Sequence, residues 1–361
     1  VEAGHDVTLV TGPSPGPEGE LLKRVSCPGL KIVECPHLVR AISPLTDLKA
    51  YSFLKKLFRE EKYDVVHTHS SKAGIVGRFA AKAAHVPFVA HTIHGLAFHR
   101  YEKFWKNFIY IASERAAAPC GKRIYAVAQA MIDQSLAAGV GKPEQYKVVY
   151  SGMELEPFLT SKPDPELRKS LGIPENAVVF ATLARLFPLK GYETFIPVAV
   201  KLAKEIPDIH YLIIGNGSMM EEIQAQIAQA GLEKRFSFAG LVPPNEVWKY
   251  LALSSALVHF SLREGLPRAA VQSLASGKPV IAYALDGTPE VVVPGKTGYL
   301  LQPGDRDGAE AAIREIMANP AHAAELGANG RELVASRFGW RTMSDALLKD
   351  YAEQLAALEK K

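Results

Sequence analysis

The sequence predicts an α/β protein made of two doubly wound, Rossmann-like domains, and three observations carry that prediction. Short apolar runs of the kind that form buried parallel strands alternate with amphipathic helical patterns along the whole chain. The 361 residues, 48% of them apolar, are enough for two substantial cores. Between two such series, residues 151–166 (SGMELEPFLTSKPDPE) hold three prolines and little periodicity, which places a boundary there. The expected division is a first domain at 1–155, a linker at 156–170, a second domain at 171–337 and a terminal stretch at 338–361.

The first half starts in mid-motif. Residues 1–4 read as the tail of a helix running into a strand at 5–10. A loop rich in Gly and Pro follows at 12–19, then a strand at 30–34 and a helix at 47–60. A strand at 63–67 leads into a small-residue helix at 70–84 (SSKAGIVGRFAAKAA), with Ser70 as its expected cap. Next come a strand at 87–92, an aromatic-rich helix at 101–117, a strand at 124–128, a helix at 129–137 and a strand at 146–150. The second half has strands at 177–184, 210–215, 236–239, 256–260 and 279–283, separated by helices near 192–205, 219–230, 244–252 and 268–276. Helices at 308–318, 321–336 and 341–358 close the chain.

Composition excludes several classes. A net charge of +4 is too mild to argue for a nucleic-acid partner. No apolar run reaches the roughly 18 residues of a membrane span, no signal peptide is visible, and three cysteines without CxxC spacing point to a reduced compartment, hence the cytoplasm. Residues 1–125 nevertheless hold 18 Lys and Arg against 11 Asp and Glu. Within them, residues 98–111 (FHRYEKFWKNFIYI) interleave Arg100, Lys103 and Lys106 with aromatics, so contact with an anionic membrane surface is expected.

The richest stretch is residues 258–302. A strand breaks at a loop, SLREGLP, before a helix resumes, which puts Glu264 and the amides near Gly265 and Leu266 beyond a strand's carboxyl end. Gln272 follows eight positions later, about two helical turns on. After the second half's first strand come Ala184-Arg185-Leu186-Phe187-Pro188-Leu189-Lys190-Gly191, two cations beside a helix start. Gly215-Asn216-Gly217 is a strand-to-helix turn that allows close backbone approach. His67 and His69 share one face of a strand end, and His91, His94 and His99 follow in HTIHGLAFH. No carboxylate accompanies them and no DxD-type pair stands out, so no metal is expected.

These motifs resemble the GT-B glycosyltransferases, in particular the retaining family four, whose signature is Glu, seven residues, Glu in an EGLP-type loop. Here Glu264 matches the first acid and Gln272 stands where the family has its second. The 184–191 segment is similar to the family's ARL…KG pattern, and residues 63–99 resemble a bacterial subgroup that extends glycans on an isoprenoid diphosphate carrier. The resemblance implies two domains facing across a cleft, with roughly 20–35 further residues, enough for a strand, a loop and a helix, preceding the given ones. It implies transfer of a sugar, with retention, from a nucleotide sugar, UDP-linked by expectation, to a glycan or lipid-linked glycan, without cofactor. It implies that Glu264, Gly265, Leu266 and Pro267 hold the donor sugar, Arg185 and Lys190 the diphosphate, Gln272 the ribose, and His94 the reacting centre. Gly215, Asn216, Gly217 and Leu241 complete the expected donor-binding set, and the terminal helix packs on the first domain. A nucleotide-sugar epimerase and a non-catalytic nucleotide-sugar-binding protein are the alternatives.

Overall fold

The computed structural model describes residues 1–13 and 26–359. Most of the Gly- and Pro-rich loop expected at 12–19 therefore lies outside the described residues. The chain divides into two compact units, one of Val1–Ala126, Met131–Val148 and Leu347–Lys361, the other of Val127–Ala130 and Val149–Ala346.

The first unit contains β1 (Val7–Thr11), β2 (Leu30–Glu34), α1 (Pro44–Glu61), β3 (Val65–His69), α2 (Ser71–Ala83), β4 (Phe88–Ile93), α3 (Phe104–Ala117), β5 (Arg123–Ala126), most of α4 (Gln129–Ala137) and β6 (Tyr146–Val148). All strand pairs are parallel, in two ladders: β1-β2, and β3-β4-β5-β6 in chain order. Among the described residues no ladder joins these two sheets. Leu54 and Phe58 of α1 pack with Ala80 and Ala81 of α2 over Val66 and Val89. Ser70 stands at the start of α2 as expected, but at φ 60 its side chain makes no cap hydrogen bond, which corrects the capping role assigned to it.

In the second unit come α5 (Glu156–Leu159), α6 (Pro165–Ser170), β7 (Val178–Leu183), α7 (Tyr192–Glu205), β8 (Ile209–Ile214), α8 (Met220–Gln229), β9 (Phe236–Gly240), α9 (Val247–Ala252), β10 (Ala256–His259), α10 (Arg268–Ala275), β11 (Val280–Tyr283), β12 (Gly298–Leu301), α11 (Arg306–Ala318) and α12 (Pro320–Arg337). One six-stranded parallel sheet runs β12-β11-β10-β7-β8-β9. Its chain order starts at β7, moves outward through β8 and β9, then returns to the other side of β7 through β10, so the topological switch point lies between β7 and β10. Both faces are buried, as the pleat requires of a parallel sheet covered by helices. Val179, Ala181, Leu257 and Val280 point into one core, while Phe180, Val258 and Ile281 point into the other.

Two features depart from the expected elements. β12 is a strand at 298–301 that the irregular GKTGYLL pattern hides, and it pairs with β11 along four residues. Residues 156–170, read as a linker, carry α5 and α6, and Phe158 is buried in a core of the second unit. Pro157 and Pro165 stand at the second and first positions of these short helices, within the first turn, where a missing N–H costs no hydrogen bond.

The last helix, α13 (Trp340–Glu359), begins in the second unit and from Leu347 belongs to the first. There Asp350, 1% exposed, accepts from Arg123 Nε at 2.9 Å, Tyr125 Oη at 2.7 Å and Lys147 Nζ at 2.8 Å. Burial pushes its carboxyl up, but these three donors outweigh it and hold the pKa below the ordinary value.

Candidate active site

The second unit's candidate site forms at the switch point, from the loops that leave β7 and β10. Gly191 has φ +82, and a Cβ there would lie 2.1 Å from the Phe260 carbonyl oxygen. Only glycine admits that approach. It lets the 184–191 loop lie against the end of β10, where Leu262 N donates to Leu189 O at 2.9 Å. Lys190 is thereby carried to the other loop, and its Nζ donates to Glu264 Oε1 at 2.8 Å and to Ser261 Oγ at 3.2 Å. His259 Nε2 lies 3.5 Å from the same carboxylate oxygen, and Glu264 N donates to Asp286 Oδ2 at 2.9 Å. Burial pushes the Glu264 carboxyl up, yet His259 and Lys190 together bring it down to about 2. Glu264 is thus a fixed anion, and Lys190 Nζ, with three protons, meets two acceptors among the described residues.

The remaining expected donor residues surround this pair unevenly. Gly265 O accepts from Gly287 N at 3.2 Å, which ties the EGLP loop to the turn after β11. Leu266 is buried and Pro267 immediately precedes α10, while Gln272 is half-buried in the second turn of that helix. Arg185 is exposed, with its guanidinium 5.4 Å from the Phe187 ring centroid, and Leu241 is exposed at the surface. Gly215 and Gly217 do permit a close approach, but to the protein's own backbone. A Cβ on them would lie 2.0 Å from Ala184 O and 2.3 Å from Leu186 O, and Leu186 N donates to Asn216 O at 3.0 Å. This turn therefore braces the loop carrying Arg185 and Lys190. His259, Ser261 and Asp286 were not anticipated. The one available signal was a histidine closing an otherwise apolar strand, ALVHF.

In the first unit the histidines gather at the carboxyl ends of β3 and β4. His67 Nε2 bonds Thr92 Oγ1 at 2.6 Å and its Nδ1 bonds the Tyr351 hydroxyl. His69 stacks between His67 and His94, with ring centroids at 4.4 and 5.2 Å, and its Nδ1 is 2.9 Å from His94 Nε2. His69 thus holds the expected active-site residue His94 directly. Desolvation by these neighbours, then His94 itself, draws His69 down to about 4, and burial followed by the adjacent rings holds His67 well below its ordinary value. His99 takes its backbone contacts from Asn107. Among the described residues no group of three or more His, Cys, Asp or Glu is arranged to hold a metal ion.

The switch point of a parallel sheet is where open α/β folds place their ligands, and comparison with known proteins defines the family. Residues 1–152 match the glycosyl transferase 4-like domain, and residues 163–333 match the glycosyl transferases of group 1. The UDP-Gal:α-D-GlcNAc-diphosphoundecaprenol α-1,3-galactosyltransferase of Escherichia coli is 33% identical over 285 residues, covering 78% of this chain and 73% of that protein. Anabaena HepE in complex with UDP and glucose superposes with a TM-score of 0.79 at 23% identity, over 95% of this chain and 91% of that one. Sucrose-phosphate synthase from Thermosynechococcus elongatus gives 0.82 at 23% identity, over 99% and 90%. The chain belongs to the group 1 GT-B glycosyltransferases.

Proposed function

We propose that the protein is a retaining, metal-independent transferase that moves a hexosyl or N-acetylhexosaminyl unit from a UDP-sugar to a glycan carried on an isoprenoid diphosphate. The observation that carries this reading is the Lys190–Glu264 pair at the β7/β10 switch point. An ammonium held beside an ionised carboxylate presents fixed charge where a diphosphate leaving group develops its own, without needing a cation. Glu264 positions the donor sugar, Lys190 and Arg185 neutralise the departing diphosphate, Gln272 contacts the ribose hydroxyls and His94 faces the reacting centre. The leaving diphosphate helps take the acceptor's proton during front-face displacement. The Escherichia coli relative, named for a galactosyl donor on UDP and an acceptor on diphosphoundecaprenol, supports both choices of substrate class.

The test is incubation with UDP-hexoses and UDP-N-acetylhexosamines plus an N-acetylhexosaminyl-diphosphate-polyprenol, with and without EDTA. An α-linked product, formed equally in both, is expected. A β-linked product or a strict metal requirement overturns the mechanism, and an epimerised nucleotide sugar released without acceptor replaces it with an epimerase.

A lipid-borne acceptor needs a surface that meets the membrane, and α3 supplies its chemistry. Phe104 is 86% exposed, Trp105 57% and Phe108 67%, on one face of that helix and beside Arg100, Lys103 and Lys106. No helix among the described residues is long and apolar enough to cross a membrane, so the contact proposed is peripheral. Each basic residue near an anionic surface contributes about 1 kcal/mol. Neutralising all three should release the protein from anionic vesicles in a sedimentation assay, and undiminished binding refutes the contact.

A further inference from the structure

The later part of α13 brings Tyr351 to the histidines of the first unit, a contact to which the proposed function gives no role. Asp350, held by Arg123 and Tyr125 on β5 and by Lys147 on β6, fixes the rotation of the helix against the sheet. Its chain neighbour Tyr351 is thereby delivered beside the start of β4 and the middle of β3. There its ring centroid lies 5.8 Å from those of both Phe88 and His67. The Tyr351 hydroxyl bonds His67 Nδ1, and Thr92 Oγ1 bonds the opposite ring nitrogen, Nε2, at 2.6 Å. Both nitrogens of this imidazole are engaged by hydroxyls, so the ring cannot turn without breaking two hydrogen bonds.

The two contacts also fix where the proton sits. Burial keeps His67 neutral, with one N–H and one bare nitrogen. Burial, then the charge of Asp350, keeps the Tyr351 phenol protonated. A phenol oxygen shares a lone pair with its ring and accepts less well than the threonine hydroxyl. Nε2–H therefore donates to Thr92 Oγ1, and Tyr351 Oη donates to Nδ1, the partner of one ring nitrogen setting the state of the other. His69 lies on this clamped ring, with centroids 4.4 Å apart and 30° between the planes. The His94 ring continues the row at 5.2 Å and 29°, joined to His69 through the 2.9 Å bond from Nδ1 to Nε2. The pairing of β4 with β5 ends at Ile93, so the His94 ring takes its direction from side-chain contacts such as this one.

We propose that Tyr351 is a positioning residue for His94, acting through the fixed His67 ring and the stacked His69. The inference rests on the reading that His94 faces the reacting centre, and it names what holds the residue there. Tyr351→Phe removes one hydroxyl and keeps the ring beside Phe88. In the transfer assay kcat should fall about three- to tenfold, the kinetic size of one net hydrogen bond, while KM for the UDP-sugar stays within about twofold. Thr92→Val releases the other nitrogen of His67 and should lower kcat similarly. The double variant should lose less than the product of the two losses, because both act through one ring. NMR on the full chain with labelled histidine reads the positioning without turnover, and the His69 and His94 ring nitrogens should shift in Tyr351→Phe. Leu54→Ala, in the α1 and α2 core of the same unit, should lower the melting temperature and leave both kcat and those resonances as in the wild type. Wild-type kcat in Tyr351→Phe with unmoved His94 resonances overturns the proposal, as does an equal loss of kcat in Leu54→Ala below its melting temperature. A severe loss in His94→Ala beside a silent Tyr351→Phe refutes the positioning alone. Shifted His94 resonances with no transfer from any nucleotide sugar uphold the positioning and refute the transferase reading instead.

Discussion

The two units place their functional groups at the same topological position, the carboxyl ends of parallel strands, and equip it with opposite chemistry. In the second unit a carboxylate is desolvated beside His259 and the Lys190 ammonium, which together outweigh burial and bring Glu264 down to about 2. In the first, imidazoles meet one another with no facing carboxylate in the stack, so desolvation and mutual repulsion keep His67 and His69 neutral, while desolvation and then the Arg78 charge do so for His91. Burial alone does not decide charge state. The sign of what is buried alongside does. A site of fixed charges suits a diphosphate, whereas one of neutral donors and acceptors suits hydroxyls, and a glycosyl transfer requires both.

The contrast can be broken most severely at Lys190. Lys190→Ala removes the cation proposed to face the diphosphate and leaves Glu264 beside His259 alone, so kcat should fall about 10²–10³-fold, the scale of one preorganised electrostatic contact. Near-normal turnover means the charge is structural. Arg185→Ala should lower the rate less, because that side chain is exposed and outside the Lys190–Glu264 cluster.

A backbone change tests whether glycine packing assembles the charged site. Gly191→Ala forces a Cβ against Phe260 O at positive φ, and should destabilise the second unit by roughly 2 kcal/mol or more while moving Lys190 from Glu264. Wild-type melting and kcat in that variant would show that the loop can relax.

Acidification should separate the units. A histidine whose folded pKa is lowered contributes stability that is full above 6.5 and is lost as pH falls towards the folded value. For His69 that window runs from 6.5 to about 4, and His67 and His91 shift the same way. The second unit has one such histidine, His210, lowered to about 4, and the Glu264 contribution disappears only between 4.5 and about 2. Hydrogen exchange at pH 5 should therefore show β3 and β4 losing protection before β7 and β10. Equal loss in both units removes the distinction drawn here.

The smallest effect is expected at Gln272. Gln272→Glu restores an acceptor that binds ribose hydroxyls more strongly, so donor affinity should hold or improve by at most about tenfold. A marked loss, read by calorimetry with UDP, means the side chain points elsewhere.

Much of this molecule was legible in one dimension, for a reason that particular elements make plain. β7, β8, β10 and β11 are buried on both faces, so they read as continuous apolar runs between helices of period 3.6, and the strand–helix alternation follows. Glu264 and Lys190 were legible because each follows such a run directly, where the chain must leave the sheet. β12 was not, since its partly exposed residues depend on pairing with β11 for their conformation. Nor were α5 and α6, whose prolines look like a linker until Phe158 finds its core.

The sequence by itself determined the alternation of strands and helices, the two cores and the loops that carry the candidate residues, because these depend on neighbours a few positions apart. Only the tertiary structure decided the charge states and partners. Lys190 reaches Glu264 across 74 positions, His69 reaches His94 across 25, and Asp350 gathers Arg123, Tyr125 and Lys147 from more than 200 away. The first of these exists only once Gly191, without a Cβ, lets its loop close on the end of β10. Ionisation responds to that assembled dielectric and charge, which no local pattern in the chain encodes.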